Sequence, residues 1–199
     1  MPSKAEPVEA EPVERDRWNA RHAQAALPPV PAVLRENAHL LPSTGRALDL
    51  ACGLGAGALF LAEAGLQVSA WDRSPVAIQR LQQEADRRGL VLDTQVLDLS
   101  AQPPEPESFQ VILVAHFLDR TLAPAILRAL KPKGLLFYQT FSREAVSSTG
   151  PTDPRYRLAP NELLQLFSGL CLRVYREEGR LGDIQQGCRD LALFIGERP

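Results

Sequence analysis

The stretch LDLACGLGAGALFLA, Leu48–Ala62, decides how the rest of the chain is read. A short apolar run carrying one carboxylate, Asp49, leads into Gly53, Gly55 and Gly57 at alternate positions, and then into an apolar helical run. Glycine suits turns with positive φ and backbone that must lie close to something else. The pattern reads as strand, turn and helix, with backbone N–H groups open to a ligand at the turn. Tight strand-to-helix packing asks for the same glycines, and the spacing leaves both readings open.

Outward from that stretch, strand and helix alternate. RALDLA is the first strand, GALFLAEAG a helix ending at Gly65, and QVSAWD a second strand stopping at Asp72. Ser74 and Pro75 supply an N-cap and a first-turn proline for the helix VAIQRLQQEADRRG. LDTQVLD is a third strand closing at Asp98, and FQVILVAH a fourth, apolar enough to be covered on both faces. TLAPAILRALKPKG reads as a helix stopped by Pro132 and Gly134, and LLFYQTF as a fifth strand. After the helix PNELLQLFSG come two strands, LCLRVYREEGR and DLALFIGER, with no helix between them, which predicts antiparallel pairing. This order gives an α/β fold: a mostly parallel sheet with helices on both faces.

Ahead of the sheet, residues 1–15 are rich in Glu, Pro and Ala and read as a disordered tail. RDRWNARHAQAAL is helical in pattern, PPVPAV interrupts it, and AVLRENAHLL reads as a second short helix. Residues 16–42 are thus expected to form an N-terminal helical lid on a domain spanning residues 43–199.

The 199-residue chain suffices for one domain with a substantial core, at 45% apolar and 23% charged residues. A formal net charge of -2 offers no basic field for a nucleic-acid backbone, so none is expected as partner. No apolar run approaches the ~20 residues needed to cross a bilayer, and no membrane is expected. Three separated cysteines, Cys52, Cys171 and Cys188, argue against a disulfide framework or a metal site and for the cytoplasm.

In an open parallel sheet, ligands bind beyond the carboxyl ends of the strands, where strand order reverses. Asp72 follows the glycines by about 20 residues, where a carboxylate can accept both hydroxyls of an adenosine ribose. Asp98 falls beside the adenine position. A dinucleotide turn would read G-x-G-x-x-G, whereas this one reads G-x-G-x-G with Asp49 inside the preceding strand. A carboxylate there repels a pyrophosphate and suits a ligand carrying an ammonium and a sulfonium, S-adenosylmethionine. A nicotinamide-dependent oxidoreductase is the alternative, and so is a non-catalytic cofactor-binding module. Asp49 also reads as a buried acid holding loop amides.

ALDLACGLGAG, VSAWDRS, LDLS and FQVILVAHFLDR resemble the successive cofactor motifs of class I S-adenosylmethionine-dependent methyltransferases. RWNARHA, RALDLACG, AWDRSPVAI and DPRYRLAPNELLQLF are similar, more narrowly, to the small tellurite-resistance-type methyltransferases of bacteria. The resemblance implies a Rossmann-like, mostly parallel seven-stranded sheet with an antiparallel last strand. It implies S-adenosyl-L-methionine as cofactor, S-adenosyl-L-homocysteine as product, and a small soluble acceptor such as tellurite, selenite, a thiol or a carboxylate metabolite. Cofactor contacts carried over onto matching positions are Asp49, Ala51, Cys52, Gly53, Gly55, Asp72, Arg73, Ser74, Asp98, Leu99, Ala115 and His116. Ala51 departs from the pattern, since many relatives have glycine there.

Methyl transfer from a sulfonium is an in-line displacement, and alignment supplies most of the rate, through effective molarities of about 10⁵–10⁸ M in model systems. A thiolate or soft anion needs no base, whereas a hydroxyl or ammonium acceptor does. His116, after the fourth strand, is the candidate for removing a proton or holding an oxyanion; a packing role against the cofactor is the other reading. Arg143, after the fifth strand, is the second catalytic candidate. Arg155 and Tyr156, in the long loop STGPTDPRYRLAP, read either as a clamp on an anionic acceptor or as part of a solvated loop anchored by its tyrosine. Trp18 could face the sulfonium, Arg21 a carboxylate or anion, and Tyr138 completes the acceptor-side set. Cys171 is expected in a strand core. Monomer and weak dimer both fit the chain.

Overall fold

In the computed structural model, which describes residues 11–99 and 101–199, seven strands form one sheet. They are β1 (Arg46–Leu50), β2 (Gln67–Asp72), β3 (Leu92–Val96) and β4 (Phe109–Ala115). β5 (Leu130–Phe141), β6 (Cys171–Arg176) and β7 (Leu191–Glu197) follow. The order is β3-β2-β1-β4-β5-β7-β6. β1 to β5 are parallel, and β7 runs antiparallel to both β5 and β6. The chain therefore ends on the single opposed strand that the missing β6–β7 helix predicts. Strand order reverses between β1 and β4, which makes their C-terminal ends the switch point.

Side chains alternate between two apolar layers, as a pleat requires. On one face Leu48, Leu50, Ile112, Val114 and Phe194 pack with Ile126 and Leu163, from α5 (Ala123–Ala129) and α6 (Glu162–Leu166). On the other, Ala47, Val111, Leu113, Phe137 and Ile195 pack with Val33, Leu59 and Leu81. Those three belong to α2 (Ala32–Arg35), α3 (Ala56–Glu63) and α4 (Pro75–Arg88). Helices thus cover both faces. Ser74 caps α4, its Oγ accepting from Ala77 N–H at 3.2 Å.

Four sequence expectations shift. The first helix, α1, runs Glu11–Gln24 and so reaches into the stretch expected to be tail; residues 1–10 of that tail lie outside the described residues. The helix expected over AVLRENAHLL breaks after Arg35, because Asn37 Nδ2 takes the Val33 carbonyl at 2.9 Å in place of its own main-chain amide. β5 begins at Leu130, before Pro132, since proline forces the residue ahead of it out of helical conformation. Cys171, expected in a core, is exposed, because β6 is an edge strand.

Candidate active site

β1 delivers Asp49 to the switch point on the face that carries α3, and only 3% of the residue is exposed. The helix can approach this closely because Gly57 has no side chain: a Cβ there would stand 2.9 Å from Asp49 Oδ2 and 2.3 Å from Leu113 Cδ2. Gly55 (φ +76°) is also a packing glycine, since its Cβ would meet Leu81 Cδ1 at 2.3 Å. Gly53 differs. It has φ +53°, the ring of His22 lies over it, and its N–H donates to Asp72 Oδ2 at 2.8 Å. The two readings of the glycine run therefore divide by position. Ala51 holds a left-handed φ of +58°, the conformation for which glycine is the unstrained choice.

Asp72 ends β2 with one oxygen on Gly53 N–H and the other on Ser74 N–H, each at 2.8 Å. Each oxygen keeps acceptor capacity beyond its amide. Arg73 reaches Asp98 at 3.6 Å, and Leu99 is buried beside them in the core. Cys52 N–H donates to Trp71 O, and burial, then the charges of Asp49 and Asp72, push its thiol pKa well up, which makes it unreactive.

A cavity of about 60 Å³ opens between Pro28, Pro29 and Pro31 on one side and Asp49, Gly57 and His116 on the other, with Ala115 in its wall. Burial pushes the Asp49 pKa up to about 7; the Ala58 backbone amide opposes the shift and the Asp72 charge adds to it. No salt bridge reaches Asp49 among the described residues. His116 follows β4 with φ +57°, its ring 5.3 Å from that of Phe141. Burial and then the Arg21 charge push its pKa down.

α1 lies across the cofactor side of the turn. Ser74 Oγ donates to Asn19 Oδ1 at 2.7 Å, and Arg80 caps the end of α1 by donating to His22 O and, at 2.7 Å, to Ala25 O. Trp18 stacks on His22 at 5.6 Å, and the Arg21 guanidinium lies 5.2 Å from the Trp18 ring centre.

The remaining predicted residues fall elsewhere. Tyr138 lies on the α5–α6 face, the opposite side of the sheet from Asp49, buried and donating to Phe117 O at 3.0 Å. Arg143 Nε donates to Pro154 O at 3.2 Å. Arg155 forks onto Asp153, and Tyr156 is exposed. None of these four lines the cavity. Asn19, His22, Gln139 and the prolines Pro28, Pro29 and Pro31 surround the site without having been singled out. A polar residue one step along β5 from Tyr138, hence on the opposite face, is the signal that would have found Gln139.

The strand order, the single opposed strand and a glycine turn flanked by strand-end carboxylates define a class I, Rossmann-like methyltransferase fold. Residues 47–134 match the family described as "Methyltransferase domain". The chain is 32% identical over 136 residues to a ubiquinone biosynthesis O-methyltransferase of Xanthomonas axonopodis pv. citri, covering 63% of this chain and 56% of that protein. It is 30% identical over 89 residues to the probable S-adenosyl-L-methionine-dependent methyltransferase TehB of Haemophilus influenzae, covering 43% of this chain and 31% of the relative. The chain thus spans little more than half of the first relative and under a third of the second. The crystal structure of TehB from Haemophilus influenzae superposes with a TM-score of 0.70 at 17% identity, over 94% of this chain and 67% of that one. By sequence, residues 47–134 are thus similar to a methyltransferase domain, and by fold the chain is similar to TehB. S-adenosylmethionine is the cofactor named for the TehB relative, and the residues present here would fit it. A buried carboxylate awaits a cation, Asp72 retains acceptor capacity for a diol, and Gly53 offers bare backbone between them.

Proposed function

We propose that the chain transfers a methyl group from S-adenosylmethionine to a small anionic acceptor, with residues 16–42 closing over the cofactor. The buried Asp49 carboxylate facing a cavity, with no cation paired to it among the described residues, carries this reading. A buried charge is costly unless something pairs with it, and the ammonium of the cofactor's amino-acid end is the complement. Asp72 would hold the ribose, and the Arg73–Leu99 wall would border the adenine. Bound there, the cofactor supplies an electrophilic methyl on a positively charged sulfur. His116 and Arg21 face the acceptor side. No carboxylate lies within salt-bridge distance of Arg21 among the described residues, which favours an anionic acceptor. The O-methyltransferase named among the relatives agrees with an acceptor that presents oxygen.

The cavity of about 60 Å³ is far smaller than the ~300 Å³ or more of an ordinary ligand pocket. That difference supports a lid role for the Pro28–Pro31 segment and α1, which would withdraw to admit the cofactor. Calorimetry with S-adenosylmethionine and S-adenosylhomocysteine tests the reading. Both are expected to bind, and Asp72→Ala is expected to weaken them by about 10- to 100-fold through loss of charge-assisted hydrogen bonds. Labelled cofactor offered with oxyanions, thiols and small aromatic acids should then show transfer to one class. Absence of binding by both cofactor forms sinks the proposal, and binding without transfer to any class leaves only a cofactor-binding module.

A further inference from the structure

Val33 N–H, in the first turn of α2, donates to Gln139 Oε1 at 2.9 Å in the protein interior. A backbone amide can only donate, so this contact fixes which end of the Gln139 side chain faces α2. The other end, Nε2, faces His116 Nε2 at 3.0 Å. An amide nitrogen in that position donates, which leaves the ring nitrogen as the acceptor. Gln139 is 2% exposed, so water is not at hand to replace either partner. The same residue also grips His116 through the main chain, His116 N–H donating to Gln139 O at 2.8 Å. That grip accompanies the left-handed φ of His116, a conformation held only where the surroundings impose it.

We infer that Gln139 is a positioning residue that locks His116 in the Nδ1–H tautomer, with its Nε2 lone pair spent on the amide. The imidazole then meets the acceptor as a neutral hydrogen-bond donor and not as a base. A proton added to Nε2 would set two donors face to face. Turning the amide over would instead set Gln139 Nε2 against Val33 N–H. Either change forfeits a buried hydrogen bond. Burial and Arg21 of α1 act in the same sense by lowering the His116 pKa; Asp49 of β1, in the same cavity wall, would oppose them when ionised, but it is itself half-protonated near neutrality. With His116 Nε2 spent and Asp49 engaged by the cofactor's ammonium, no base is left for the acceptor, which has to arrive ionised, as an oxyanion, a carboxylate or a thiolate. This assignment of acceptor class rests on the methyl-transfer reading; the tautomer does not.

The test is a long-range ¹H–¹⁵N correlation spectrum of the uniformly labelled full chain, recorded without cofactor or acceptor. The expected His116 signature is a protonated Nδ1 and a bare Nε2, with the ring staying neutral as pH falls through the ordinary histidine value of about 6.5. In Gln139→Glu the carboxylate accepts from Val33 N–H and from an Nε2–H, which should move the proton to Nε2 and raise the pKa by about 1–3 units. Gln139→Met, similar in volume and without a polar end, should abolish the tautomer preference and serves if the Glu variant fails to fold. A wild-type ring protonated at Nε2 overturns the inference, as does a tautomer unmoved in both variants. Because no ligand enters the measurement, its failure is distinct from failure to find methyl transfer.

Discussion

The glycine turn after β1 and the loop after β5 both look, in sequence, like places where charge meets a ligand, but they are wired in opposite ways. At the turn, Asp49 is buried with no cation paired to it among the described residues, and Asp72 is held by two backbone amides. In the loop, the cations are consumed internally. Arg157 donates to Pro151 O, Ser142 O and Thr149 O at 2.7, 2.9 and 2.6 Å, and lies 5.6 Å from the Phe141 ring centre. Arg120 binds Glu162 and reaches Arg155 O and Arg157 O. A charge satisfied from within holds a loop in shape. One left buried and unpaired costs stability until a ligand completes it. The separation between ligand-facing and structural charge therefore lies in where the partners come from, not in which residue types are present.

Asp49→Asn probes that contrast hardest. Removing one partner of a buried charge pair should weaken cofactor binding by about 100-fold or more, as calorimetry would read. The free protein should respond in the opposite direction. The folded pKa of about 7 lies above the ordinary aspartate value of 3.8, so between them the native state holds a proton that the unfolded chain has lost. Stability is then full below the unfolded value and falls as pH rises toward 7, by on the order of 4 kcal/mol in all. Asn cannot ionise. The variant should match wild type near pH 4 and exceed it near pH 8 in chemical denaturation. A variant that loses stability at both pH values would mean that Asp49 is a structural acid holding loop amides.

Arg157→Met sharpens the other side. Three carbonyls lose a charged donor, and the melting temperature should drop by about 5–10 °C for a loss of about 2–3 kcal/mol. The loop from Ser142 to Leu158 should become open to proteolysis. Cofactor affinity should stay within about twofold, because the two regions share no hydrogen bond among the described residues.

What could be read from sequence follows the same division. β1 to β4 and their caps are local patterns: Ser74 caps the helix it precedes, Asp72 closes the strand it ends, and the lone antiparallel strand follows from a missing helix. The acceptor side depends on contacts far apart in the chain. Gln139 links Val33 to His116, and on the cofactor side Asn19 meets Ser74; no local pattern specifies these pairings. Tyr138 and Gln139 are neighbours on one strand, and period two sends them to opposite faces, but only the packed sheet says which face holds the site. The arginines of the loop looked free because the carbonyls that occupy them are set by the loop's own fold.

Ala51→Gly is a smaller test, at the turn. An L residue at the φ of +58° observed there is strained by about 1–2 kcal/mol, and glycine's greater freedom in the unfolded chain offsets roughly 0.5–1 of it. A net stabilisation of about 1 kcal/mol or less is expected by denaturant titration, with cofactor affinity unchanged or slightly improved as the methyl leaves the turn.

Arg155→Ala should do least. Its side chain is 81% exposed, and its guanidinium is forked onto Asp153 at 2.7 Å, two residues away. Exposed pairs of this kind contribute little to stability, and a cation already neutralised by its neighbour offers little to an incoming anion. The KM for the acceptor identified by the labelled-cofactor panel should therefore move by less than about twofold, since salt and solvent screen such a charge. An acceptor clamp at Arg155 requires the reverse. Asp153 would have to release the guanidinium when the acceptor binds, and the alanine variant would then raise KM about tenfold or more with kcat little changed. That outcome would show that a charge satisfied within the free protein can still be lent to a ligand, and would erase the contrast between the loop and the turn.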